Sequence, residues 1–480
     1  MAADVAGPIE SGHAVEVLVV GSGPGGAVTA CLLAEAGREV VLVEEGPWLA
    51  LDATEPFSPE EMRRKYRGGG VTVVLGAPVI AYAEGRCVGG GSEINSGLYH
   101  RTPDEILEAW RRDFALGGTT SDDLAPHFAA CELDLSVGPL PGPATAASLR
   151  LRDGAARLGW QALEVPRWYR YPGAQKQSMT ETYLPRAVQA GCRILAGTRI
   201  RRLRRMAGSW VAAGVRGLDG ERCEPVEIRA RTVFVAGGAV ETPALLRRSG
   251  IRHQIGETLH LHPTVKVVAE FPEAVNDAHA GVPVHQVKEF APRLSLGGSV
   301  SSPPHLAVAM TDHPAHLRSV LDAWRRHAVY YAAGVGGVGR VRALPWSDDA
   351  LVRYALCNEE LAELAVGLRR LCECLLAAGA VRLYPSVRGV TPIARDADLA
   401  ALPVRLPRAH TSLMTVHAFS TCPMGEAPTR CATDSYGRVH GVPGLHVADA
   451  SLLCGPPGVN PQGSVMAVAR RNALHFLGRA

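Results

Sequence analysis

Lysine is nearly missing from this chain of 480 residues: it occurs only at Lys65, Lys176, Lys266 and Lys288, and arginine carries the remaining basic charge. The formal net charge is only +3 and no long run of one sign occurs, so the charge pattern gives no reason to expect a nucleic-acid partner. No segment reaches the roughly 20 uninterrupted apolar residues needed to cross a bilayer. The first residues, MAADVAGPIESGHAVEV, carry acids where an export signal needs basic residues, and a cytoplasmic protein is expected. None of the eleven cysteines forms a Cys-x-x-Cys pair, and His417, Cys422 and Cys431 match no zinc spacing, so free thiols and no metal are expected. Aromatic residues make up 5% of the chain. Trp168, Tyr169 and Tyr171 cluster, as do Tyr330 and Tyr331; stacking on a sugar and packing in a core are both open to them.

A hydrophobic content of 47% with 20% charged residues is the balance of a globular chain, long enough for two or three domain-sized units. Residues 15–20, Val-Glu-Val-Leu-Val-Val, read as a buried strand and run straight into Gly21-Ser22-Gly23-Pro24-Gly25-Gly26. An Ala- and Leu-rich helix follows to Ala36, capped by Gly37, and a second apolar strand ends at Glu44. Strand, G-x-G-x-x-G, helix, strand and acid in this order predict a dinucleotide fold. Gly21 allows the tight turn, Gly23 lets backbone approach a pyrophosphate, and Gly26 lets the helix pack on the strand. The helix N-terminus faces the phosphates, and Glu44 accepts from ribose hydroxyls. The same pattern recurs at Gly334 to Gly339, but a proline at Pro345 cuts off any helix, and this copy reads as a flexible loop.

Four further segments follow in order. The first is Gly85-Arg86-Cys87-Val88-Gly89-Gly90-Gly91-Ser92-Glu93-Ile94-Asn95, and the second Thr232-Val233-Phe234-Val235-Ala236-Gly237-Gly238. Next come Ile255-Gly256-Glu257 with His262-Pro263, then Leu445-His446-Val447-Ala448-Asp449 with Gly458-Val459-Asn460-Pro461. Together with the first motif they resemble the glucose-methanol-choline (GMC) oxidoreductase family over nearly the whole chain. The subgroups nearest in pattern are long-chain alcohol oxidases and enzymes oxidising aminoglycoside hydroxyls.

The resemblance implies an α/β FAD-binding domain of Rossmann-like, glutathione-reductase type, built from residues 14–263 and 412–480, with a lid or insertion near 51–80 and 114–189. An α+β substrate domain with an antiparallel sheet is expected over 264–411, where an amphipathic helix runs from about Asn358 to Ala378. By the same resemblance Gly21, Gly23 and Gly26 hold the pyrophosphate and Glu44 the adenosine ribose, while backbone at Ile200 meets the adenine. Gly89, Gly90, Ser92, Asn95, Ala236, Asn460 and Pro461 border the cofactor, and Asp449 reaches the ribityl or pyrophosphate region, unless it caps a turn. Ile94 stands where some members carry a flavin-linking histidine, which implies noncovalent FAD.

In this family His417, within Val416-His417-Ala418-Phe419-Ser420, matches the catalytic base. The partner position is Asn460; an amide is no base, so His417 acts alone while Asn460 orients the hydroxyl. The implied reaction oxidises a primary alcohol to an aldehyde by hydride transfer to flavin N5, with oxygen or another acceptor reoxidising the flavin. Two readings of Glu93 stand, recognition of a cationic or polyhydroxylated substrate and an internal ion pair. The first favours a sugar or aminoglycoside-like alcohol in natural-product biosynthesis, ahead of a long-chain alcohol. A non-catalytic flavin-binding protein is the other class, and an NAD-dependent dehydrogenase explains only the first motif. Oligomeric state is left open.

Overall fold

In the computed structural model, residues 14–217, 223–278 and 281–479 are described. The N-terminal stretch read for an export signal, residues 1–13, lies outside them.

Val15, Val17, Leu18 and Val19 are wholly buried, as expected of a parallel strand covered on both faces. Their strand, Ala14–Val20, is central in a seven-stranded sheet, flanked in parallel by Val40–Val43 and Glu224–Val235. Arg193–Leu195 extends one side. Leu445–Val447 pairs in parallel with Glu224–Val235, and the antiparallel pair Thr198–Met206 and Ser209–Arg216 follows that strand. One core thus gathers pieces from both ends of the chain.

The helix Pro24–Glu35 starts at the tip of the first strand. Gly21 has φ +106, which favours glycine. A Cβ on Gly25 would lie 1.9 Å from the Ala448 carbonyl oxygen, so the helix start packs directly on the chain leaving the C-terminal strand.

The second sheet is mostly antiparallel and has nine strands. Thr264–Glu270, His327–Gly334, Leu294–Gly298 and His285–Val287 lie side by side. The sheet also takes Thr72–Val74, Ile80–Tyr82, Ala162–Glu164 and Leu413–Thr415. Segments expected as a lid or insertion therefore contribute strands here.

Alternation in Thr264–Glu270 sends Val265, Val267 and Ala269 into the core that holds Leu361, Leu364, Leu368 and Leu371 of the helix Asn358–Ala377. Glu360 opens that helix, accepting from Cys357 N at 2.6 Å. Its other oxygen accepts from Gly337 N, also at 2.6 Å. The second G-x-G-x-x-G is consequently not a flexible loop; it is a strand–turn–strand pinned to a helix N-terminus. Among the described residues no helix is long and apolar enough to cross a membrane.

Candidate active site

Between the two sheets lies a cavity of about 1130 Å³. Ordinary small-ligand sites run to roughly 300–1,000 Å³, so there is room for a dinucleotide and a second molecule.

Gly21, Gly23, Glu44, Gly90, Asn95, Ile200, Ala236 and Asp449 line its nucleotide end. An added Cβ at Gly23 or Gly91 would meet nothing within 4 Å, so both backbones border open space. Gly23 is also the N-cap of Pro24–Glu35, whose first turn borders the cavity, so the free N–H groups of that helix end can receive an anion there. The two glycine loops face each other closely, a Cβ at Gly90 falling 2.8 Å from the Gly23 Cα. The shape and the donors fit FAD.

Glu44 accepts from Ser22 N at 3.0 Å, Ser22 Oγ at 2.7 Å and Gly46 N at 2.9 Å, and burial raises its pKa against those donors. Asp449 caps a turn and lines the cavity. Its carboxylate accepts from Ser451 N and from Gly238 N, each at 2.8 Å, while it also borders the cavity.

Gly26, Gly89 and Ser92 do not line the cavity; they build its frame. A Cβ on Gly26 would fall 2.1 Å from the Gly21 oxygen. Gly89 N donates to Ser22 Oγ at 3.0 Å, and Ser92 Oγ donates to Gly89 O at 2.8 Å.

Glu93 requires a correction: it does not line the cavity. Its carboxylate is 5% exposed and accepts from Thr180 Oγ1 at 3.0 Å, with burial raising its pKa and Lys176 opposing. The expectation that it meets substrate fails because the four-residue helix Gly91–Ile94 turns this side chain inward. Lys176 does the complementary work, donating to the backbone oxygens of Glu93 at 2.9 Å and Asn95 at 2.7 Å. Removing this clamp in Lys176→Met is expected to weaken FAD binding roughly 10–100-fold, since hydrogen bonds to charged groups contribute about 1.5–3 kcal/mol. Titration of apoprotein with FAD checks it.

A second group escaped the sequence reading. Glu45, Glu84 and Glu241 mesh with Arg67, Arg199 and Arg248 along the wall, and Arg86 Nε meets Glu45 at 2.8 Å. Burial raises the Glu45 pKa, but the arginines outweigh it and hold the carboxyl at about 2. These residues are far apart in sequence with no fixed spacing, so no local signal exposes them. The ring cluster of Trp168, Tyr169, Tyr171, Tyr330 and Tyr331 is absent from the lining, and Trp168 and Tyr330 are wholly buried.

At the far end His417 and Asn460 come together, Nε2 to Nδ2 at 3.4 Å. His262 Nδ1 lies 3.0 Å from His417 Nδ1. Gln286 Nε2 donates to Asn460 Oδ1 at 3.2 Å, which assigns that atom as the amide oxygen and directs the NH₂ toward His417. Hydrogen-bond logic then sets the tautomer: His417 keeps its proton on Nδ1, donates it to His262, and presents a lone pair at Nε2. Burial, then the charge of Lys288, pushes His417 down to about 4, so the ring is neutral at physiological pH.

The amide is held by the second sheet. Gln286, Gly297, Tyr331 and Lys266 form one cross-strand row. A Cβ on Gly297 would lie 2.4 Å from the Tyr331 hydroxyl, so the ring crosses above it and reaches Gln286 at 3.4 Å. Gln286→Leu leaves Asn460 Oδ1 without its donor, and flavin reduction is expected to slow about tenfold with little change in KM; rapid mixing of FAD-loaded enzyme with alcohol separates the two.

A nucleotide cavity ending at a histidine lone pair and an oriented amide defines a dinucleotide-dependent oxidoreductase. Residues 62–264 and 299–469 match GMC oxidoreductase family patterns, and 19–80 match a NAD(P)-binding Rossmann-like domain. A GMC-type oxidoreductase of Sinorhizobium fredii, itself uncharacterized, is 39% identical across 95% of this chain and 94% of its own length. Another of Mycobacterium tuberculosis is 34% identical across 95% and 74%. A long-chain-alcohol oxidase of Arabidopsis thaliana is 26% identical across 95% and 66%. The crystal structure of a pyridoxine 4-oxidase superimposes with a TM-score of 0.76 at 19% identity, covering 97% of this chain and all of that one, which shows the shared fold. The chain belongs to the GMC oxidoreductase family, and its cofactor is FAD.

Proposed function

We propose that this oxidoreductase converts a primary alcohol to an aldehyde, with His417 as the base and FAD held noncovalently. The observation that carries the reading is the unprotonated Nε2 of His417 in contact with the Asn460 amide at the end of the cavity. The substrate hydroxyl sits between these two side chains. Bound FAD supplies, at N5, the two-electron acceptor for hydride from the carbinol carbon. His417 Nε2 takes the hydroxyl proton as the O–H bond breaks, and His262 stabilises the resulting imidazolium through Nδ1. Asn460 Nδ2 donates to the oxygen as negative charge develops there, and Gln286 keeps that amide from turning away. Loss of the O–H proton and of the C–H hydride leaves a C=O double bond.

A sugar or aminoglycoside-like substrate has its support in Glu93, and that carboxylate is buried and committed to Thr180. The walls beside the second sheet include Val73, Val79, Val300, Val308 and Met414 alongside the polar Lys266, Ser299 and Thr311, and the apolar part suits an alkyl alcohol; the long-chain-alcohol oxidase relatives point the same way. FAD-loaded protein mixed anaerobically with straight-chain and sugar alcohols tests this. Bleaching of the flavin with stoichiometric aldehyde supports it, and spectral perturbation without reduction indicates a binding protein.

A further inference from the structure

Lys266 is a half-buried cation with no hydrogen-bond or ion-pair partner among the described residues. Its strand, Thr264–Glu270, alternates, so Lys266 lies on the sheet face opposite Val265 and Val267. That face borders the cavity, and Lys266 is among its lining residues. Burial alone pushes its ammonium down to about 8. Lys65 pairs with Glu61 at 3.1 Å and Lys176 is bound to two carbonyls; Lys288, which burial also lowers to about 8, is likewise unpaired among the described residues but does not line the cavity.

The surroundings of Lys266 also suit a ligand. Tyr331 stands opposite it in the row but leans away toward Gln286. His305, whose Nδ1 is engaged with Ser302 Oγ at 2.7 Å, is held down to about 4 by burial and by the charge of Lys266, and so faces the cavity as a neutral ring. Ser299, Thr311 and Ser386 offer hydroxyls along the same wall. The acid on the same cavity lining, Asp312, has Oδ1 4.0 Å from Arg388, and its Oδ2 is buried without a hydrogen-bond partner. An unpaired ammonium on the wall of a cavity becomes costly once a ligand displaces water there, unless the ligand brings an anion to meet it.

From this geometry we propose that the alcohol substrate carries an anionic group, a carboxylate or a phosphate, at the end remote from the reacting hydroxyl, and that Lys266 binds it. The inference rests on the alcohol-oxidation reading above. Lys266 and Gln286 are three strand spacings apart in the row, roughly 14 Å, a distance an alkyl spacer covers. The substrate class is therefore an ω-hydroxy acid or a hydroxyalkyl phosphate.

The test uses FAD-loaded full-length enzyme and ω-hydroxy acids of increasing length, their methyl esters, matching hydroxyalkyl phosphates and unsubstituted 1-alkanols, with anaerobic flavin reduction as the readout. A fatty acid lacking the hydroxyl is titrated against the flavin spectrum to read binding without turnover. The wild-type protein is expected to prefer an anionic alcohol over its neutral counterpart by roughly 10–100-fold in kcat/KM. In Lys266→Met this preference disappears, neutral alcohols stay within about threefold of the wild type, and the fatty acid no longer perturbs the spectrum. Lys266→Arg retains part of the preference, which separates charge from packing. Whichever of acid and phosphate gains more from Lys266 identifies the anion. Equal reduction by acids and esters in the wild type, or a parallel loss for both in Lys266→Met, overturns the proposal while leaving alcohol oxidation intact. Failure of every alcohol to reduce the flavin overturns both readings.

Discussion

His417→Ala is expected to retain FAD and to lose anaerobic flavin reduction by at least about 10⁴-fold. A general base contributes roughly 10²–10⁴-fold, and here the ring also positions the substrate oxygen against Asn460, so orientation is lost with it. FAD is retained because the nucleotide end is built from other residues, the glycine loops and Asp449. The same residue sets the acid limb of the pH profile. His417 is depressed to about 4, so the base form persists above that value and is lost as pH falls through it. The reduction rate is therefore expected to be flat from weakly acidic to neutral pH and to drop only near pH 4. Stopped-flow absorbance across pH checks both the magnitude and the position of that limb.

Asn460→Leu is expected to cut the same rate about 10²–10³-fold, the usual cost of removing one preorganised donor from a developing oxyanion. The substitution also leaves Gln286 Nε2, now 3.2 Å from the amide oxygen, without that acceptor. The loss falls on kcat more than on KM because the donor matters most when the alkoxide forms. An equal rise in KM with kcat unchanged would assign Asn460 to ground-state binding.

The nucleotide half was legible because its physics is local. A turn with φ +106 at Gly21 and a helix start 1.9 Å from the Ala448 oxygen admit no side chain, and such demands leave glycines at fixed spacing. His417 and Asn460 were legible through family motifs, although neither sits in a regular element of its own. What holds them was not. Gln286 reaches Asn460 across 174 positions of sequence, by way of a register that only the folded second sheet creates.

Glu93 misled because its neighbours in sequence contact the cofactor, while the short helix after Gly90 turns its side chain away from the cavity. The His262–His417 pair was half visible. His262 stood in a recognised segment, but its 3.0 Å contact joins segments 155 positions apart. Lys266 carried a signal that went unused, since a chain with four lysines in 480 residues has little surface lysine to spare.

The central claim is that a neutral His417 takes the hydroxyl proton while hydride leaves the carbinol carbon for the flavin. It is tested most directly by anaerobic reduction of the FAD-loaded enzyme with a primary alcohol bearing deuterium at that carbon. The account predicts bleaching that slows severalfold on deuteration in the wild type and is almost abolished in His417→Ala. Reduction at an unchanged rate in His417→Ala would contradict it.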